Sequence, residues 1–333
     1  METTIFDWLP MVFIGLMGLS LLVYAILDGY DLGVGVLLPQ SNPTQRDSMI
    51  YSIGPFWDAN ETWLVLAIGL LLIAFPKAHS IIFQALYLPT ALMLIGLILR
   101  GVSFDFRTKA PSHQKNKWDL AFKAGSLIAT LTQGYMLGRF ITGFEDSFLG
   151  IAFSLLAAIC VTAAYCFIGA AWLVMKTEGE LQQRAAKWAS YANVLMNIGI
   201  VTVCITNLMI DPIIKDKWIS FPQAIVLLPL TMLFIFAFFT VQKYLKSVPF
   251  ENDIGCWYPF TVGIVLFTLC FLGLAYSYFP YIVPNQLTIF DAASSRESLM
   301  VIFGGAVIVL PMIIGYTIFS YKVFSGKSSK LNY

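Results

Sequence analysis

The sequence predicts an all-α, polytopic membrane protein with nine transmembrane helices in a single integral membrane domain over residues 1–333. Hydrophobic residues make up 58% of the chain and charged residues only 12%, whereas charged residues approach about a quarter of a soluble domain. Apolar runs of bilayer length recur along the whole sequence, and roughly 20 apolar residues suffice to cross ~30 Å of hydrocarbon. No linker is long enough to separate two soluble domains.

The apolar runs set the bounds of the nine predicted helices. The amino-terminal stretch METTIFDWLP lacks the basic segment that begins a cleavable signal peptide, so we expect the first run to be kept as a span. The predicted spans cover residues 9–37, 53–76, 80–103, 120–140, 147–175, 190–210, 220–242, 256–279 and 298–321.

Basic residues give these helices a direction. The loops after the odd-numbered spans and the carboxyl tail hold 13 Lys and Arg residues, whereas the amino terminus and the remaining loops, counted with Arg139, hold five. Because Lys and Arg accumulate on the cytoplasmic side of a membrane, we predict an amino terminus outside and a carboxyl terminus in the cytoplasm. The net charge of +1 and the lack of a basic block give no indication of a nucleic-acid partner.

Histidine and cysteine usage argues against a metal or haem held by this chain. Only two histidines occur, His79 and His113, and both fall in predicted loops. A respiratory subunit that binds haem or copper itself would carry several histidines within its spans. The five cysteines lie in or next to apolar runs without a CxxC pair, so we expect them to be buried small hydrophobic residues.

The stretch at 54–72, GPFWDANETWLVLAIGLLL, places two acids in a predicted span. The apolar run after Glu61 has only 14 residues, so the helix is predicted to begin near Ile53 or Pro55 and to draw Asp58 and Glu61 into the bilayer or its edge. An acid at mid-span costs about 2.5–3.5 kcal/mol and usually faces a bundle interior on a functional path. The two acids are three residues apart, which places them on one helix face.

Ionisable residues of the neighbouring spans are expected at the same depth. Asp28 and Asp31 lie in DGYD near the cytoplasmic end of the first span, and Arg100 closes the third. The apolar LGVGVLL that follows DGYD keeps the chain in the membrane, which favours burial of both acids. Alternatively, the two acids mark the end of the span, or Asp28 caps a second helical piece beside closely packed glycines.

The remaining polar residues also have structural interpretations. Asp58 and Glu61 can form a structural pair satisfied by Asn60 and Arg100. Arg100 can be a counter-ion or an interfacial anchor. We expect only anchoring from the basic residues that follow, Arg107, Lys109, Lys115 and Lys117.

Acids that gather near the cytoplasmic side can relay protons or coordinate a cation. A proton relay inside a larger complex is one hypothesis, and a stand-alone proton- or cation-coupled transporter is the alternative. A purely structural membrane scaffold is a third. Charge is concentrated in the first three spans, whereas transporters often repeat their discontinuous helices in both halves, so the pattern favours a chain with a partner subunit.

Four motifs carry a resemblance to a known family. The segments LDGYDLGVG (27–35), GPFWDANETWL (54–64), ILRGVSFDFR (98–107) and AWLVMKTEGELQQRAAKWA (171–189), together with nine predicted spans, resemble subunit II of the cytochrome bd family of quinol oxidases, the cyanide-insensitive type included. The resemblance implies a haem-free subunit II that forms a heterodimer with a haem-bearing subunit I, in which haems b and d and the quinol are bound. Whether a small third subunit joins the complex is left open.

The same resemblance implies an activity and a location. The family oxidises quinol on the outer side of the prokaryotic cytoplasmic (inner) membrane and reduces dioxygen to water with cytoplasmic protons. Lipid and quinone are then expected as neighbours of this chain in the membrane.

The resemblance also gives six residues an expected role. Arg100 matches the family's arginine at the end of the third helix and is expected as the counter-charge, and Trp63 matches a tryptophan beside a proposed oxygen route. Four acids are expected on the proton path; these are Asp28, Asp31, Asp58 and Glu61. Asp58 matches the acid of the WDxN motif and the first two match DGxD, whereas the position of Glu61 varies in the family between acid and amide. No catalytic, cofactor-binding or metal-binding residue is expected in this chain.

Overall fold

The computed structural model describes residues 8–39, 41–210, 212–221, 223–248 and 254–328. Within these ranges the chain forms 13 helices and one antiparallel two-stranded hairpin. The first helices are α1 (Leu9–Leu37), α2 (Pro43–Ile53), α3 (Trp57–Ala74), α4 (Pro76–Ala85), α5 (Tyr87–Lys109), α6 (Ser112–Ile141) and α7 (Phe148–Lys176). The remaining elements are α8 (Gly179–Ile210), α9 (Pro212–Ile219), α10 (Gln223–Leu245), α11 (Tyr258–Tyr278), β1 (Tyr281–Val283), β2 (Leu287–Thr288), α12 (Ile289–Ala292) and α13 (Arg296–Val323).

Seven of the described helices are long and apolar enough to cross a membrane. They are α1, α3, α5, α7, α8 over Gly179–Met209, α11 and α13. The chain is therefore an all-α multi-pass membrane protein, apart from the short hairpin, which was not expected. The spans predicted at 120–140 and 220–242 correspond to α6 and α10, which are not among the seven, so the count of nine stays a prediction.

Two predicted spans are interrupted. The second, expected to begin near Ile53 or Pro55, begins at Trp57, because a turn at 54–56 separates α2 from α3. Pro55 explains the break, since a proline lacks the amide hydrogen that a helix interior needs. The third predicted span is divided at Leu86 into α4 and α5.

The histidines and one cysteine also differ from expectation. His79 lies in α4, where its ring stacks on Phe83, and His113 lies in the first turn of α6, so neither is in a loop. Four of the cysteines are half-buried, and Cys204 is exposed on the outside of the bundle. The prediction of buried cysteines is therefore wrong for Cys204, whose small apolar side chain suits a lipid-facing position as well.

Helix α1 is the centre of the bundle and contacts α3, α6, α7 and α11. It remains helical to Leu37, so Asp28 lies inside one continuous helix and caps no second piece. Helices α1 and α7 approach closely at two glycines. A Cβ on Gly33 would lie 1.8 Å from the carbonyl oxygen of Tyr165, and one on Gly169 would lie 2.6 Å from the backbone nitrogen of Val34. Small residues permit such close packing of helices in a membrane.

The Gly33→Ala substitution tests this close approach. The added methyl group cannot fit against Tyr165 unless α1 and α7 separate, and overpacking of this kind costs about 1–3 kcal/mol. We expect a lower thermal midpoint of the purified protein and less of it in the membrane. Gly15→Ala is the matched control, because no heavy atom outside its own helix lies within 4 Å of the new Cβ. Equal behaviour of the two variants would contradict the packing argument.

Candidate functional site

Three helices bring one cation and two acids together inside the bundle. The Arg100 guanidinium in α5 donates from Nη1 to Asp28 Oδ1 in α1 at 2.6 Å, and from Nη2 to Glu61 Oε2 in α3 at 2.8 Å. Asp28 and Arg100 are fully buried, whereas the side chain of Glu61 is 29% exposed. A buried charge is tolerated when it is paired and hydrogen-bonded. We call Asp28, Glu61 and Arg100 the Arg100 cluster.

The second acid of DGYD has a different partner. Asp31 is fully buried and accepts a hydrogen bond on Oδ2 from Asn60 Nδ2 at 2.8 Å. The same amide nitrogen donates to the Tyr30 hydroxyl at 3.0 Å, and Asn60 Oδ1 accepts from the Tyr321 hydroxyl at 3.1 Å. The two tyrosine hydroxyls lie 2.6 Å apart. We call Tyr30, Asn60 and Tyr321 the Asn60 ring.

A polar chain leads from Asp28 into the bundle. Tyr24 lies one turn before Asp28 on α1, and its hydroxyl interacts with that carboxylate. Gln133 of α6 donates to the Tyr24 hydroxyl at 2.7 Å and accepts from the Tyr165 hydroxyl of α7 at 2.8 Å. These tyrosines were not predicted, although the spacing of Tyr24 and Asp28 by four residues places them on one helix face.

Asp58 does not join the buried groups. It lies exposed in the first turn of α3, contrary to the expectation that it shares a buried face with Glu61. The reason is the late start of α3, which leaves Asp58 at the open end of the helix, where an acid is favourable to the helix dipole. The structure therefore places Asp28, Glu61 and Arg100 in contact and leaves Asp58 at their outer edge.

Trp63 lies two residues beyond Glu61 on α3. It is almost fully buried, and its indole nitrogen has no hydrogen-bond partner among the described residues.

A second buried ionic group was missed. Arg107 was expected only as an interfacial anchor, which is wrong: it is buried, forms a salt bridge with Asp119 of α6 and reaches Asp47 of α2 at 2.6 Å. Arg46 lies 3.3 Å from the other oxygen of Asp119. The sequence offered one signal for this group: Arg107 and Asp119 carry opposite charges at the two ends of the predicted loop between the third and fourth spans. This group fixes α2 against the α5–α6 turn.

The arrangement offers carboxyl, hydroxyl and amide groups that can bind and orient protons. Carboxyl groups graded from exposed to buried can pass a proton inward, and paired hydroxyl and amide groups can orient it. Within the described ranges, no group of three or more His, Cys, Asp or Glu side chains is placed to hold a metal ion.

Comparisons with known proteins agree over nearly the whole chain. The family described as cytochrome bd terminal oxidase subunit II matches residues 9–324. The chain is 28% identical to cytochrome bd-I ubiquinol oxidase subunit 2 of Escherichia coli, over 95% of this chain and 94% of that protein. It is also 28% identical to cytochrome bd ubiquinol oxidase subunit 2 of Bacillus subtilis, over 92% and 93%.

A solved structure shares the fold. A chain of the bd oxidase from Geobacillus thermodenitrificans matches with a TM-score of 0.76 and 18% identity, covering 95% of this chain and 98% of that one. At this identity the likeness concerns the fold alone.

The Arg100→Met substitution tests the Arg100 cluster. It leaves the Asp28 carboxylate buried without its cation, and removing one partner of a buried ion pair costs about 3–5 kcal/mol. We expect a large fall in the thermal midpoint, and a partial recovery when Asp28→Asn is added, since the unpaired charge is then gone. Arg296→Met, at an exposed position, is the control. A double variant no more stable than Arg100→Met would count against the charge pairing.

Proposed function

Because this chain belongs to the cytochrome bd terminal oxidase subunit II family, we propose that it scaffolds the haem-bearing subunit I and lines a proton path from the cytoplasm. As subunit II it is part of a cytochrome bd oxidase and has subunit I as its partner. In the proposal, subunit I holds haems b and d and the quinol, and this chain supplies four acids that bind and release protons: Asp28, Asp31, Asp58 and Glu61.

The observation that carries the proposal is the graded exposure of the acids around Arg100. Asp58 is exposed, Glu61 is 29% exposed and in contact with Arg100, and Asp28 is fully buried on the other side of the same guanidinium. In the proposal, a proton taken up at the surface acid passes to Glu61 and then to Asp28, the acids on either side of the guanidinium. Arg100 keeps the two inner acids at a fixed distance and offsets the cost of their burial.

The proposed topology gives this series a direction. With one membrane domain of nine spans, an amino terminus outside and a carboxyl terminus in the cytoplasm, the Arg100 cluster lies in the cytoplasmic half. Asp58, at the start of the second span, then faces the side from which protons are drawn.

Trp63 is proposed to border the oxygen route. Dioxygen is small and apolar, so it dissolves in apolar packing more readily than in a polar path. The buried ring of Trp63, with no polar partner among the described residues, supports this assignment.

The geometry supports a stand-alone ion-coupled transporter less well than it supports a proton path. A coupling cation would bind between the acids, and Arg100 already fills the space between Asp28 and Glu61 with salt bridges of 2.6 and 2.8 Å. Arg100 therefore already supplies the positive charge that a coupling cation would bring to these acids.

Asp58→Asn and Glu61→Gln test the proton path in the assembled oxidase. Each removes one proton-binding group while keeping the size of the side chain, so we expect oxygen consumption to fall about tenfold, below the full 10²–10⁴ of a lost acid–base group because water can replace part of it. Haem absorption spectra should be unchanged. Glu180→Gln, an exposed acid of α8, is the control. Normal turnover in both variants, with the complex intact, would remove these acids from the path.

The partnership can be tested by purification through an affinity tag on this chain. We expect a protein with haem absorption to co-purify in stoichiometric amount, because the chain is a subunit of a haem oxidase. A chain recovered alone from membranes that contain subunit I would contradict the scaffolding role.

A further inference from the structure

The Asn60 ring allows one arrangement of its hydrogens. The Leu27 carbonyl oxygen, which can only accept, lies 3.3 Å from Asn60 Nδ2, so the amide nitrogen stays on that side. Asn60 Oδ1 must then accept from the Tyr321 hydroxyl, whose single hydrogen is used there. Tyr30 consequently donates to Tyr321 across the 2.6 Å contact and accepts from Asn60. The two amide hydrogens of Asn60 are shared among three acceptors, and the shortest of these contacts is the one to Asp31.

Tyr321 is thus the residue that completes the hydrogen bonding of Asn60. Without its hydroxyl, Asn60 Oδ1 would be left without this donor and Tyr30 without this acceptor. Hydrogen bonds in a closed ring strengthen one another in a buried site. The hydrogen bond that Asp31 receives therefore depends on a side chain of the last helix.

Few contacts hold Tyr321 in place along α13 itself. Only Leu299 and Ser320 of that helix are buried, and most of its length faces outward. The Tyr321 ring stacks on Phe56 at 4.5 Å. The chain after the helix then turns back onto the end of α7.

Lys176 binds the segment that follows α13. Its ammonium group donates to the carbonyl oxygens of Phe324 at 2.8 Å and Gly326 at 2.9 Å. It is buried and lies 5.0 Å from the Trp172 ring centroid, a cation–π contact. The backbone carbonyl of Lys176 in turn accepts from the amide of Ser328 at 2.9 Å. A buried lysine thus directs its charge to the tail carbonyls.

We propose that residues 321–328 form a latch, fastened by Lys176, that seats Tyr321 against Asn60 and so fixes the hydrogen bond to Asp31. The inference rests on the proposed proton path, in which Tyr321 is a positioning residue that acts through Asn60. The other titratable groups that act on Asp31 come from the four helices α1, α3, α5 and α13 and are Asp28, Tyr30, Glu61, Arg100 and Tyr321.

Tyr321→Phe in the complete oxidase is the first arm of the test. It keeps the ring against Phe56 and removes only the hydroxyl. We expect oxygen consumption to fall roughly fivefold, the factor that one hydrogen bond is worth, with a displaced pH–rate profile and unchanged haem spectra. Tyr316→Phe on the same helix is the control, since that side chain is 62% exposed.

Lys176→Met is the second arm, with Lys322→Met, exposed and next to Tyr321, as its control. Lys176→Met should displace the pH–rate profile in the same way as Tyr321→Phe. The double variant, Tyr321→Phe with Lys176→Met, should show no further effect, because both changes act through one contact. Each effect should disappear in an Asp31→Asn background.

Two outcomes separate the latch from the path. A normal rate and profile in Tyr321→Phe, while Asp31→Asn is impaired, would overturn the latch and leave the path standing. A normal rate and profile in Asp31→Asn itself would contradict the proposed path through Asp31, and the latch with it. Additive effects of Tyr321→Phe and Lys176→Met would also overturn the latch.

Discussion

The buried guanidinium of Arg100, held between Asp28 and Glu61, is the interaction on which the rest of the structure depends. In a hydrocarbon environment a charge cannot rely on water, so each must find a partner within the protein. One cation with two acids on two other helices sets the rotation and the depth of α1, α3 and α5 at once. Any other register would leave at least one charge unpaired, which is far more costly than the loss of an apolar contact.

The packing of α1 explains why the acids of one short motif have different surroundings. Gly33 brings α1 against the backbone of α7, and both acids are fully buried. Asp28 and Asp31 are three residues apart, yet the first is neutralised by Arg100 and the second is hydrogen-bonded by Asn60. The chain thus holds two buried acids with different partners side by side, which suits stepwise handling of protons.

Hydropathy and helix spacing sufficed to predict a polytopic helical fold, and the ionisable residues Asp28, Glu61 and Arg100, expected together from three helices, are in contact. The exposure of Asp58 was not predictable, because it depends on where the turn at Pro55 lets α3 begin. The burial of Arg107 was missed because the positive-inside rule treats every basic residue near a span end as an anchor. The contact of Tyr321 with Asn60 joins positions far apart in the sequence, and no local pattern signals such a contact.

The most direct test of the account is time-resolved proton uptake by the oxidase in oriented vesicles, with a pH-sensitive dye on the cytoplasmic side. Neutralising Asp31 and Glu61 together, as Asp31→Asn with Glu61→Gln, should delay uptake from that side while the first electron transfer to the haems keeps its rate. Uptake at the unaltered rate in an intact complex would contradict the claim that Asp31 and Glu61 carry protons from the cytoplasm.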